Sequence, residues 1–91
     1  MRKITIVTVA AALLATAATA HAGSLGRPCT AAPQSQWLPI DALQAKVEAL
    51  GYKVRKAKLK KACGELYTVD KNGQRVELFV DPTNGQIVGQ L

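Results

Sequence analysis

The chain has almost no histidine, the side chain that most often serves as a general base or metal ligand near neutral pH. Its single histidine, His21, lies before a predicted cleavage site and would be removed with the segment that precedes it. Without histidine, the Ser-His and Cys-His pairs that activate a nucleophile cannot form. We therefore predict that the mature chain has no catalytic residues and is not an enzyme.

The chain is also poor in groups that bind metals, cofactors or nucleic acid. Residues 70–73, DKNG, resemble the start of a calcium loop but lack the third acidic ligand and the distal glutamate. Four aromatic residues are present, and their spacing does not predict a platform on which bases could stack. We expect no metal site, no cofactor and no nucleic-acid partner.

One long apolar run is present, and it lies at the N-terminus. The positively charged residues Arg2 and Lys3 are followed by uncharged apolar residues 4–18. Ala20 and Ala22 then occupy positions −3 and −1 relative to a cleavage site. This order is typical of a secretory signal peptide, whereas a membrane anchor is the alternative for such a run. We predict that residues 1–22 are a signal peptide cleaved after Ala22, which places the mature protein in the periplasm.

The two cysteines are the next informative feature. Exported chains meet oxidising conditions, so Cys29 and Cys63 are expected to form a disulfide. A redox or metal-binding pair is the alternative, but the spacing is not Cys-x-x-Cys. The bond would tie down residues 23–36, an irregular lead-in rich in Gly, Pro, Ser and Ala, ahead of a domain formed by residues 37–91.

Positive charge is concentrated in one short segment. After removal of Arg2 and Lys3, ten basic residues face six acidic ones, a net charge of +4. Six of the ten lie within nine residues and are the candidate partner-binding residues: Lys53, Arg55, Lys56, Lys58, Lys60 and Lys61. A soluble, charge-protected strand edge is one interpretation of this segment. A docking face for an acidic partner is another, and an exposed edge could also accept a partner strand.

The mature sequence predicts one helix and three strands. Residues 39–50 carry an apolar stripe at helical spacing, with Pro39 in the first turn and Gly51 after the end. Residues 52–61 form the first strand, and a slip in their alternation near Lys56 indicates a bulge. Residues 65–69 and 75–80 form a hairpin around Asn72-Gly73, with a turn at residues 62–64 before it and a short extended piece after a turn at residues 81–85.

Several of these segments, in this order, resemble the PepSY family in its short, single-domain form exported by Gram-negative bacteria (peptidase propeptide and YpeB-like domain). They are the helix-to-strand junction at residues 49–54, CGELY at 63–67, the hairpin at 70–81 and PTNGQI at 82–87. The resemblance spans about residues 37–88. It implies an α+β fold in which one helix packs on a three-stranded antiparallel sheet. It also implies a non-catalytic binding or inhibitory module, found in peptidase propeptides and in small periplasmic proteins.

These expectations together predict an exported binding module that modulates, for example by inhibition, a periplasmic or membrane-bound protein such as a peptidase or sensor. The expected partner is an acidic protein of the cell envelope. The alternative is a basic module that binds anionic envelope surfaces, lipid or lipopolysaccharide, because clustered lysines attract such surfaces.

Overall fold

The computed structural model describes residues 23–91, so the predicted signal peptide, residues 1–22, lies outside the described residues. A short 3-10 helix spans Gln34–Gln36 and leads to the α-helix of the described region, α1 (Ile40–Ala49). The strands that follow are β1 (Lys53–Lys60), β2 (Cys63–Val69), β3 (Arg75–Val80) and β4 (Ile87–Gln90). The α+β class is confirmed.

The strands form one antiparallel sheet in the order β1-β2-β3-β4. The prediction of three strands is wrong, because the short extended piece after residue 85 pairs with β3 as a fourth strand. In that pairing Ile87 lies opposite Val80 and Gly89 opposite Phe79, with an irregularity between Phe79 and Val80. A strand of four residues that includes a glycine has too little alternation to stand out in a sequence.

The β1–β2 turn contains two residues that rarely adopt its backbone conformation. Lys61 and Ala62 have φ of 53° and 63°, the left-handed region required by a two-residue hairpin turn of type I′. The turn was expected at residues 62–64. Gly64 instead lies in β2, where a Cβ would come within 2.6 Å of Val80 Cγ2 and 3.2 Å of Leu43 Cδ1. The glycine is needed for close packing of the helix on the sheet.

The two later turns are organised by aspartate side chains. Asp70 Oδ1 accepts hydrogen bonds from the backbone N–H of Asn72 (2.8 Å) and of Gln74 (2.9 Å). Asp81 Oδ1 accepts one from the Thr83 N–H at 2.9 Å. This is the local bonding for which aspartate is favoured at turn entrances. In the predicted turn around Asn72-Gly73, Gly73 has a positive φ of 83° and Asn72 does not.

Helix α1 covers one face of the sheet. Pro39 has extended backbone angles and lies at the N-cap, one residue earlier than the first turn in which it was predicted. The predicted apolar stripe is confirmed, since Leu43 and Val47 are fully buried. They pack with residues of β2 and β3 that share the opposing face: Leu66, Leu78 and Val80.

A second, smaller core lies on the other face of the sheet. Phe79 is fully buried there, although its alternation places it among polar residues. Cys29 and Cys63 form a disulfide, as predicted, and Phe79 packs against it. Leu25 from the lead-in and Val88 from β4 complete this cluster. The lead-in therefore contributes to the folded structure by covering part of the sheet.

Candidate functional site

A bulge in β1 aligns four lysines on one face of the sheet. Val54 lies opposite Thr68 while Lys56 lies opposite Tyr67, so Arg55 is the extra residue, and the predicted irregularity is confirmed. Because a bulge shifts alternation by one residue, lysines before and after it share the face away from the helix. These lysines, called the basic row below, are Lys53, Lys56, Lys58 and Lys60.

The basic row lies at an open edge of the sheet. In the described residues β1 pairs with β2 alone, so its outer backbone edge has no neighbouring strand. Lys53, Lys56 and Lys60 are exposed. Lys58 is half-buried, with its Nζ 5.7 Å from the centroid of the Tyr67 ring, a cation–π contact that holds its charge above β2. From Lys53 to Lys60 the row extends about 20 Å, at roughly 3.3 Å per residue.

The other two candidate residues lie next to the row but not in it. Arg55 is exposed at the bulge and Lys61 is exposed in the β1–β2 turn. The structure therefore brings all six predicted residues to one edge while placing four of them in a line.

A groove of about 260 Å³ separates the end of the basic row from the lead-in. Its positive side chains are Arg27, Lys60 and Lys61, and Cys63 forms part of its wall. Glu65 also lines it, although only 4% of this residue is exposed. The groove is thus a basic cleft with one carboxylate at its buried side, continuous with the basic row.

Two buried carboxylates were missed by the sequence reasoning. Glu65 and Glu77 alternate with apolar residues in β2 and β3, a pattern that predicts exposure on the outer face of a half-buried sheet. Both are buried instead, because the lead-in crosses this face. Glu77 Oε1 accepts a hydrogen bond of 3.1 Å from the backbone N–H of Gly23, fifty-four residues earlier in the chain.

Trp37 lies at the junction of the lead-in and α1 and is half-buried. Its indole Nε1–H donates a hydrogen bond of 3.0 Å to the Ala32 carbonyl oxygen. This bond fixes the ring against the lead-in.

The chemistry available in the described region is that of a charged surface. Within residues 23–91, no three His, Cys, Asp or Glu side chains come together in a way that could hold a metal ion. In the same part of the chain, no helix has the length and hydrophobicity needed to cross a membrane. What the structure offers is cations along an open strand edge, suited to anionic or acidic partners.

Comparison with known families identifies the domain. The family model described as "Peptidase propeptide and YPEB domain" (PepSY_2) matches residues 4–90, nearly the whole sequence. The chain belongs to the PepSY family. PepSY domains are generally non-catalytic propeptide or regulatory modules, typically of exported proteins, which assigns this protein to a propeptide-like or regulatory class. No curated protein and no solved structure gives a significant match.

Proposed function

We propose that this PepSY protein is an exported, non-catalytic module that binds and modulates an acidic protein of the cell envelope. A peptidase that it inhibits is the partner class to which the family's propeptide members point. The observation that carries the proposal is the basic row, four aligned lysines beside an unpaired strand edge. The periplasm is the compartment we propose, which agrees with the disulfide.

The edge of β1 suits a peptide-like partner. An extended segment can add to an open strand by backbone hydrogen bonds, and this is how several domain families bind peptides. Acidic side chains on such a segment would meet the basic row on alternate positions, because side chains alternate between faces of a strand. Backbone pairing would supply much of the affinity, and the lysines would select acidic partners and speed their encounter.

A second candidate function is attachment to anionic envelope surfaces. The same row favours it, because each lysine near an anionic membrane contributes about 1 kcal/mol. The two functions differ in salt dependence. Binding that is chiefly electrostatic is lost as salt screens the charges, whereas strand pairing and buried contacts persist.

The test is a cross-linked pull-down from a Gram-negative envelope extract, using the oxidised, exported protein at low and high salt. We compare the wild type with the Lys56→Glu/Lys60→Glu variant. The matched control is Lys46→Glu/Lys71→Glu, which makes the same change in net charge on α1 and in the β2–β3 turn, at residues outside the row.

The proposal predicts that the wild type and the control variant both retain one defined protein at high salt. The variant Lys56→Glu/Lys60→Glu should fail to retain it. Equal retention by both variants would contradict a role for the row. Recovery of lipid or of many acidic proteins, all released at high salt, would favour the anionic-surface function instead.

A further inference from the structure

Glu77 is a buried carboxylate with incomplete bonding. Only 9% of the residue is exposed, at the centre of the sheet face that the lead-in covers. Tyr67 lies opposite it on β2, and on its other side the backbone of Leu91 exchanges two hydrogen bonds with the backbone of Glu77. Oε1 accepts the Gly23 N–H, but Oε2 is buried and finds no hydrogen-bond partner among the described residues.

One amide N–H does not match the charge of a buried carboxylate. A carboxylate removed from water needs either an opposite charge or several donors, and a peptide N–H supplies one donor and no charge. The two oxygens of Glu77 share a single hydrogen bond, made by Oε1. A cation at the position of the Gly23 nitrogen would supply the missing charge and donors.

Gly23 is the residue that becomes the N-terminus if the predicted signal peptide is removed after Ala22. Hydrolysis of the Ala22–Gly23 peptide bond by a signal peptidase adds water, leaving a carboxylate on Ala22 and an amine on Gly23. That amine takes up a proton near neutral pH. The nitrogen that now donates one hydrogen to Glu77 would then carry a positive charge and three hydrogens, enough for both carboxylate oxygens.

The surroundings of Gly23 hold its nitrogen in place. A Cβ built on Gly23 would collide with Cδ1 of Leu91, so a larger residue would displace the C-terminal side chain. Two residues later, Leu25 packs into the cluster of Phe79 and the disulfide. The lead-in is thus anchored by Leu25 close to the Glu77 contact.

We propose that Glu77 is the binding site for the α-ammonium group of Gly23, and that signal-peptide removal creates this buried ion pair. Processing thereby strengthens the attachment of the lead-in to the sheet, because the precursor can offer Glu77 only the single amide N–H of Gly23. The inference rests on the export assumed in the proposed function and not on any partner.

The experiment begins with the whole precursor, expressed without a tag in a Gram-negative host and recovered from the periplasm. Its intact mass gives the cleavage site, which is expected between Ala22 and Gly23. A chain cut elsewhere or left uncut would overturn the proposal, because Gly23 would carry no free amine. Neither result would affect the proposed binding function, which the pull-down tests separately.

The processed protein is then treated with cyanate, which attacks unprotonated α-amines, and N-terminal modification is followed by mass spectrometry. A paired ammonium must lose its partner before it reacts. We therefore expect modification at least about tenfold slower than in Glu77→Gln, the factor given by one charge-assisted hydrogen bond. The matched control is Glu48→Gln, which changes an exposed carboxylate on α1 and should react at the wild-type rate.

A second variant keeps the test decisive should Glu77→Gln fail to fold. One extra glycine inserted between Ala22 and Gly23 leaves every side chain in place but moves the new α-ammonium away from Glu77. We expect its amine to react like that of an unstructured peptide and its Tm to fall by at least about 10 °C, as expected for loss of a buried pair in a small domain. A reaction rate and Tm equal to those of the wild type would overturn the proposal.

Discussion

The two faces of this four-stranded sheet are covered in different ways. The helix side is mainly apolar, with Leu43 and Val47 of α1 packed on Leu66, Leu78 and Val80. The opposite side is divided. Its β3–β4 half is covered by the lead-in, the disulfide and Phe79, whereas its β1 half carries the basic row and stays open.

This difference shows how one sheet face can be divided between a covered half and an exposed half. A helix covers a whole face, because a continuous apolar stripe can pack along several strands. A short irregular segment covers only part of a face and needs an anchor, here the bond between Cys29 and Cys63. The remaining part is left available to a partner. Substitutions in the covered half of this face should therefore lower the free energy of unfolding strongly, and substitutions in the open half should change it little.

The largest expected effect comes from truncating the aromatic residue under the lead-in. Phe79→Ala should lower the free energy of unfolding by about 4 kcal/mol, as for other fully buried phenylalanines. The comparison is Leu78→Ala on the helix side, where a loss of about 3 kcal/mol is expected. Urea denaturation of the oxidised proteins measures both.

A loss below about 1 kcal/mol for Phe79→Ala would mean that the lead-in does not cover this half, since exposed positions change stability by only about 0.5 kcal/mol. Leu50→Ala gives the exposed reference, because 57% of Leu50 is accessible. If Phe79→Ala does not fold, the milder Phe79→Leu, with an expected loss of about 1 kcal/mol, replaces it.

Removing the covalent anchor should have the next largest effect. The disulfide closes a sequence separation of 34 residues, for which the chain-entropy estimate is roughly 3–4 kcal/mol. The double variant Cys29→Ala/Cys63→Ala should therefore have a free energy of unfolding lower by that amount, as measured by urea denaturation. A change close to zero would indicate that the lead-in is held by its noncovalent contacts alone.

A smaller effect, of opposite sign, is expected in the β1–β2 turn. Ala62 has φ of 63°, and a left-handed conformation costs an alanine about 1 kcal/mol relative to glycine. Ala62→Gly should therefore raise the free energy of unfolding by roughly that amount. The same substitution at Ala49, in the last turn of α1, should lower it by about 0.5–1 kcal/mol. If both substitutions changed the free energy of unfolding in the same direction, the left-handed conformation of Ala62 would be contradicted.

The smallest effect on stability is expected at the basic row. The variant Lys56→Glu/Lys60→Glu should change the free energy of unfolding by less than about 0.5 kcal/mol, since both lysines are exposed. Thermal unfolding followed by circular dichroism checks this value. A loss of several kcal/mol would show that the row stabilises the fold, and any loss of binding would then have a structural cause.

The helix-covered face could be predicted from the sequence because its signals are local and periodic. Leu43 and Val47 repeat at helical spacing, and Leu78 and Val80 alternate along β3. The bulge near Lys56 could also be predicted, since it appears as a slip in alternation. The β3 strand matched its predicted bounds, Arg75–Val80.

The opposite face could not be predicted in the same way, because its cover is distant in sequence and irregular. Alternation places Glu77 and Phe79 together on a nominally exposed face, and nothing local to β3 reveals that Leu25 and Gly23 cross it. The fourth strand was missed for a similar reason. Its four residues become a strand through pairing with β3 and not through their own pattern.

Of the candidate site, the sequence supplied the charges and the structure supplied their arrangement. Six basic residues in nine were evident in the sequence. That four of them share a face depends on the position of the bulge at Arg55. The groove beside Lys60 also needed the lead-in, whose path no sequence pattern indicated.

The most direct test of this division of the sheet is a nuclear magnetic resonance titration. The exported, isotope-labelled protein is mixed with the partner protein retained in the pull-down, and backbone amide signals are followed. The account predicts shifts concentrated in β1 (Lys53–Lys60) and the adjoining groove, with α1 (Ile40–Ala49) unaffected. Shifts concentrated on α1, with β1 unchanged, would contradict the claim that the open half of the second face is the binding surface.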